Sequence, residues 1–118
     1  MAKGTREPVT GSWLVRGERV LANVEIAESW RDRSRGLLGR DGIEGAILLR
    51  PARSVHTFRM RFAIDVAHLD ADLRVLRVTT MRANRLGAVV RRSRCVVECE
   101  AGALARWGVV VGDQLEVR

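Results

Sequence analysis

The sequence predicts one mainly β domain, a small β-sandwich or barrel-like fold carrying one or two short helices. Three observations point there. Apolar and polar residues alternate with period two over several short runs, the spacing of half-buried strands. Turn-forming residues separate those runs at short intervals. The apolar set is drawn from Val, Leu, Ile and Ala, with three Trp, two Phe and no Tyr in 118 residues, a composition that favours strands. A chain of this length buries roughly two-thirds of its unfolded surface, enough for one core. Its 47% hydrophobic and 30% charged content is ordinary for a globular chain and unlike a disordered one.

Taken in order, residues 1–11 carry Gly, Pro and charge without period and read as a flexible leader to a single domain over 12–118. Trp13 to Val15, the turn Arg16-Gly17-Glu18, and Arg19 to Ile26 read as a hairpin. Its second strand places Val20, Ala22, Val24 and Ile26 on one face. Ser29 with Asp32 three residues on resembles a capped helix start, giving a helix over Trp30 to Leu38 that Gly39 ends. Ala46 to Leu49 is a short apolar strand stopped by Pro51. The clearest alternation follows, with His56, Phe58, Met60 and Phe62 on one face and Thr57, Arg59 and Arg61 on the other. Ile64 to Asp70 opposes Ile64, Val66 and His68 to Asp65, Ala67 and Leu69, and Arg74 to Met81 pairs back across Asp70-Ala71-Asp72. Arg82 to Arg92 is a loop, Arg94 to Glu100 a strand, Ala103 to Trp107 one helical turn, and Gln114 to Val117 a closing strand.

The net charge is +7 and unevenly placed. No acid lies between Asp72 and Glu98, whereas Arg74, Arg77, Arg82, Arg85, Arg91, Arg92 and Arg94 do. Such a block attracts phosphate, nucleic acid or an anionic surface, unless acids elsewhere in the fold pair with it. No stretch is apolar enough to span a membrane and the start has no apolar signal region, so the expected location is cytoplasmic. Cys95 and Cys99 lie on one face of one strand, about 13 Å apart. That separation forbids a mutual disulfide or a shared zinc ion and leaves two buried thiols.

The motifs R-S-R-G-L-L-G-R (Arg33 to Arg40), H-T-F-R-M-R-F-A-I-D-V (His56 to Val66), V-E-C-E-A-G-A-L (Val97 to Leu104) and W-G-V-V-V-G-D-Q-L (Trp107 to Leu115) occur in this order. In that order and spacing the chain, over roughly Leu21 to Val117, resembles the family catalogued as domain of unknown function 192. The resemblance implies a small β-sandwich or barrel-like fold with short helices and no settled activity; many such proteins are secreted or envelope-associated. It maps recurrent polar positions onto Arg33, Asp65, Glu98 and Gly102, and an aromatic-methionine position onto Phe58 and Met60. Arg59, Leu38, Ala63 and His68 depart from the family pattern, and Arg59 and His68 would alter the chemistry of any shared pocket.

Candidate chemistry is sparse. His56 and His68 are the only histidines, and a metal site with Asp65 fails because Asp65 and His68 face opposite ways on one strand. His68 is expected among Ile64 and Val66 with one hydrogen bond satisfied. Thr57 adjoins His56 but faces away, and no G-x-S-x-G loop is present. Gly36, Gly39, Gly42 and Gly45 read as turn punctuation rather than a phosphate cradle. Asp65 and Glu98 sit inside apolar strands, where a charge needs a partner; they read either as an acid–base pair or as ion-paired with Arg33 or another arginine.

No metal or cofactor is expected. The leading reading is a non-catalytic binding or accessory domain for a small polar or anionic ligand or a protein partner, using His56, Thr57, Arg59, Asp65 and Glu98. A hydrolase or lyase using His56 with Asp65 or Glu98 is the first alternative. The second is a weak nonspecific binder of nucleic acid or anionic surfaces through Arg74–Arg94, with Arg82, Arg85, Arg91, Arg92 and Arg94 as its basic surface.

Overall fold

A computed structural model describes residues 11–118, so the expected leader lies, except for Gly11, outside the described residues. The chain runs β1 (Trp13–Arg16), β2 (Arg19–Ala27), α1 (Trp30–Arg35), β3 (Ala46–Leu49), β4 (Ile64–Leu69), β5 (Val75–Met81), β6 (Cys95–Glu100), α2 (Ala103–Arg106) and β7 (Glu116–Val117). The strands form one sheet in the order β5-β4-β6-β3-β2-β1-β7. Every pair is antiparallel except β2 with β3, whose connection passes through α1. The mainly β class is as the alternation implies. The sheet rolls without closing: beyond the ends of β5 and β7, Arg74 opposite Gln114 is a single isolated bridge.

Strands β3 and β4 are buried along their whole length, because both faces of the sheet are covered. Alternate residues divide between the faces, as the pleat requires. Val24, Ala46, Leu48, Ala67, Leu69, Val97 and Cys99 form one face, closed by Leu104 of α2 and by Leu115. Ile47, Leu49, Ile64, Val66 and Val96 form the other, covered by Leu37, Val55 and Met60. Both cysteines are free and buried. Their thiols are pushed up by desolvation, Cys99 to about 12, which keeps them protonated and unreactive.

Two expectations are corrected. The helix after Ser29 stops at Arg35, where Gly36 turns to φ +46 and its N–H bonds the Asp32 carbonyl; Leu37 is thereby freed to drop into the second face. Ser29 does cap it, its Oγ accepting from Asp32 N–H at 3.0 Å. The alternating run His56 to Phe62 is not a strand. Arg59 adopts φ +65, and Met60 N–H turns back onto the Thr57 carbonyl, so the segment folds into turns and meets the sheet only as a lid. Between β2 and β3 the approach is close. Gly45 has φ +79, and a Cβ there would fall 2.6 Å from the Asn23 carbonyl oxygen.

Candidate functional site

The register of three strands decides which polar side chains meet. Asp65 of β4 pairs with Cys99 of β6, whereas Glu98 of β6 lies between Val66 of β4 and Ile47 of β3. Asp65 and Glu98 are therefore neighbours in the ladder on opposite faces. The expected acid–base pair is not formed.

Asp65 is a structural clamp. One carboxylate oxygen accepts from Thr80 Oγ1 (2.6 Å) and the other from the N–H groups of Gly102 (3.0 Å) and Leu104 (3.1 Å). Gly102 has no side chain to cap α2, so the first-turn donors take their acceptor from the sheet. No arginine pairs with Asp65 among the described residues, which corrects the expected ion pair with Arg33. Arg33 instead donates to the carbonyls of Glu28 and Pro51, lashing α1 to the segment after β3.

Glu98 is the contrary case. Its side chain is 5% exposed, and its Oε1 has no hydrogen-bond partner. Burial pushes its carboxyl up to about 7, against a smaller pull from the Arg40 guanidinium. Oε1 aims at the turn after α1, 3.5 Å from where a Cβ on Gly36 would stand. Above it opens a groove of about 650 Å³ between α1 with its following turn and the segment 49–60. Leu37, Leu49, Val55 and Met60 give it an apolar wall, Trp30 and Phe58 an exposed aromatic rim, and Arg33, Arg35, Arg53 and Arg94 a positive border.

His56 also lines this groove. Its ring stacks on Phe58 with centroids 5.1 Å apart, and its Nδ1 accepts from Phe58 N–H at 3.3 Å. His56 and Glu98 thus share one cavity, while Asp65 lies on the other side of the sheet.

Thr57 is fully buried and serves the backbone. Its Oγ1 donates to the Arg82 carbonyl (2.6 Å) and accepts from Arg85 N–H (2.9 Å). Arg59 is exposed at the same junction, its N–H donating to Asn84 Oδ1. Both hold the segment 56–60 against the loop 82–87 and neither lines the groove. His68 corrects an expectation as well: it is buried beside Val96, and neither ring nitrogen has a partner. Desolvation, with the Arg77 charge second, lowers its pKa and keeps the ring neutral. Among the described residues no group of three potential metal ligands converges.

Of the basic surface, Arg82, Arg85, Arg91, Arg92 and Arg94 are all exposed, and Arg94 alone also borders the groove. Arg35, Arg53 and Leu37 were not singled out by sequence. The one available signal was the motif Arg33 to Arg40, whose Gly36-Leu37 turn forms the wall opposite Val55.

Comparison with known proteins gives family and fold. The model of the family DUF192, described as Uncharacterized ACR, matches residues 13–117. A UPF0127 protein of Pyrococcus furiosus is 30% identical over 108 residues, covering 87% of this chain and 93% of that one. A UPF0127 protein of Pyrococcus abyssi is 32% identical over 98 residues, covering 79% and 84%. Among solved structures, a protein of unknown function from Novosphingobium aromaticivorans superposes with a TM-score of 0.76 at 21% identity, covering 98% of this chain and 93% of that one. A "putative transcription regulator" from Sinorhizobium meliloti superposes with a TM-score of 0.73 at 21% identity, covering 90% and 91%. At that identity the two structures share the fold alone.

Proposed function

The chain belongs to the DUF192 family, and we propose that it is a non-catalytic binding domain whose ligand is a small anionic molecule seated in the groove over Glu98. The observation that carries this reading is the unpartnered, buried Oε1 of Glu98 at the base of a cavity bordered by arginines. A buried polar atom without a partner costs free energy, and a ligand that supplies the missing hydrogen bond recovers it. With its pKa near 7, the carboxyl is substantially protonated at neutral pH and donates to an acceptor oxygen. Arg35 and Arg53 make no ion pair among the described residues and are free to meet a carboxylate or phosphate from the rim. The apolar wall and the Trp30 and Phe58 rim suit a ligand with an apolar or aromatic body.

The test is a calorimetric screen of small carboxylates and phosphate esters against the wild type, Glu98→Gln, Glu98→Ala, His56→Ala and Arg35→Glu/Arg53→Glu. A member of the panel is expected to bind the wild type, and the double charge reversal to weaken it by about tenfold or more. Glu98→Gln, which keeps a donor amide, is expected to retain binding that Glu98→Ala loses. Equal affinity in wild type and the charge-reversed variant would sink the reading. Conversion of a panel compound, lost in His56→Ala and Glu98→Gln, would replace it with the hydrolase or lyase alternative.

A further inference from the structure

The loop 82–94 and the segment 53–59 are zipped together along one edge. Thr57 N–H bonds the Arg85 carbonyl, Gly87 N–H the Val55 carbonyl and Val90 N–H the Arg53 carbonyl, with His56 bridged to Leu86. Partners across an antiparallel bridge project to the same side, so Leu86 stands beside His56 and its stacked Phe58. Leu86 is 75% exposed, Val89 69% and Phe58 46%. Around them Arg53, Arg59, Arg82, Arg85, Arg91 and Arg92 are all exposed. Among the described residues, none of these six takes part in an acid–arginine pair. Arg91 and Arg92 share a hollow with Asp70 and Asp72, and the Arg92 charge acts on the Asp70 carboxyl. Arg53, Arg59, Arg82 and Arg85 remain available to a partner of opposite charge, and Leu86, Val89 and Phe58 are exposed beside them.

From this we infer that the 82–94 loop docks the protein on an anionic lipid surface, with Leu86 and Val89 entering the headgroup boundary and the flanking arginines meeting lipid phosphates. Aliphatic tips among cations are what an acidic bilayer interface accommodates. A nucleic acid would draw on the same charge but needs aromatic faces for its bases. Of the three apolar groups only Phe58 offers one, and it is already stacked on His56. Arg53 and Phe58 border both the groove and this edge; the variants below touch neither of them, nor Glu98 or Arg35, so the failure of this inference and the failure of the groove reading are distinguishable.

Cosedimentation of the full chain with vesicles of phosphatidylcholine, with and without phosphatidylglycerol, tests it. Binding is expected only when phosphatidylglycerol is present. It should weaken by at least about tenfold in Arg82→Glu/Arg85→Glu, and also in Leu86→Ser/Val89→Ser. All four positions are exposed, and a melting curve for each variant checks that folding is retained. Failure of the wild type to bind acidic vesicles would overturn the inference. So would loss through the arginines with no effect of the Leu86→Ser/Val89→Ser change, which indicates simple charge adsorption. Binding of an RNA or DNA oligonucleotide at a salt concentration that releases the vesicles would assign the surface to nucleic acid instead.

Discussion

Asp65 and Glu98 are two acids in apolar strands whose surroundings give them opposite roles. Asp65 is satisfied three times over, by Thr80 Oγ1 and two N–H groups of the α2 turn. Asp65→Asn puts an amide against those donors and is expected to destabilise the protein by about 2–3 kcal/mol in chemical denaturation, without altering ligand affinity. Glu98 has its proton held more tightly in the folded protein than in the unfolded chain, because its pKa rises from 4.5 to about 7. The stability linked to that proton is complete below 4.5 and is lost as pH rises through 7. Glu98→Gln removes this titration. Its stability relative to wild type should therefore improve between about pH 5 and pH 8, by on the order of 3 kcal/mol. His68, whose pKa is lowered, contributes stability that is lost as pH falls through its folded value. It titrates in both proteins and cancels in the difference. A relative stability that stays flat with pH would show that Glu98 ionises as an ordinary surface acid.

At the scale of elements, legibility followed periodicity. The β1–β2 hairpin, β3, β4, β5 and β6 were readable because period-two alternation and turn residues coincide there. The segment His56 to Phe62 alternates just as clearly, yet it is irregular. Its alternation arises because Thr57 and Met60 bury against different neighbours on either side of a turn at Arg59. A non-glycine residue with positive φ leaves no mark in polarity. The same limit hid the site. That Asp65 and Glu98 are buried acids could be read from their apolar neighbours, but their separation onto opposite faces depends on the β4–β6 register, which local pattern does not encode. The parallel β2–β3 contact is set by backbone approach. Gly45→Ala adds a Cβ against the Asn23 carbonyl at a positive φ and should cost about 2–4 kcal/mol in thermal or urea unfolding. A substitution without effect would mean that the two strands are not held at this spacing.

Across the whole molecule, the rolled sheet keeps its two faces for different purposes. The face closed by α2 is apolar and satisfied: Asp65 caps the α2 start, and Arg16 of β1 donates to the Trp107 and Gly108 carbonyls at its end. Among the described residues, the face under Leu37, Val55 and Met60 holds both buried side chains with unpartnered polar atoms, His68 and Glu98. Of these, Glu98 opens to a groove. Charge follows the same division of labour. The arginines near α1 and the segment after β3 border the groove, and those of the 82–92 loop face outward. Binding, in this account, is a property of one face and one edge of the sheet.

The claim that Glu98 is the floor of a ligand site is tested most directly by following its carboxyl carbon by ¹³C NMR as pH is raised. The expected midpoint is near 7 in the free protein, moving higher when a small carboxylate or phosphate ester fills the groove and accepts the proton's hydrogen bond. A midpoint in the ordinary carboxylate range, about 4.3, that no anion in the panel displaces would contradict it.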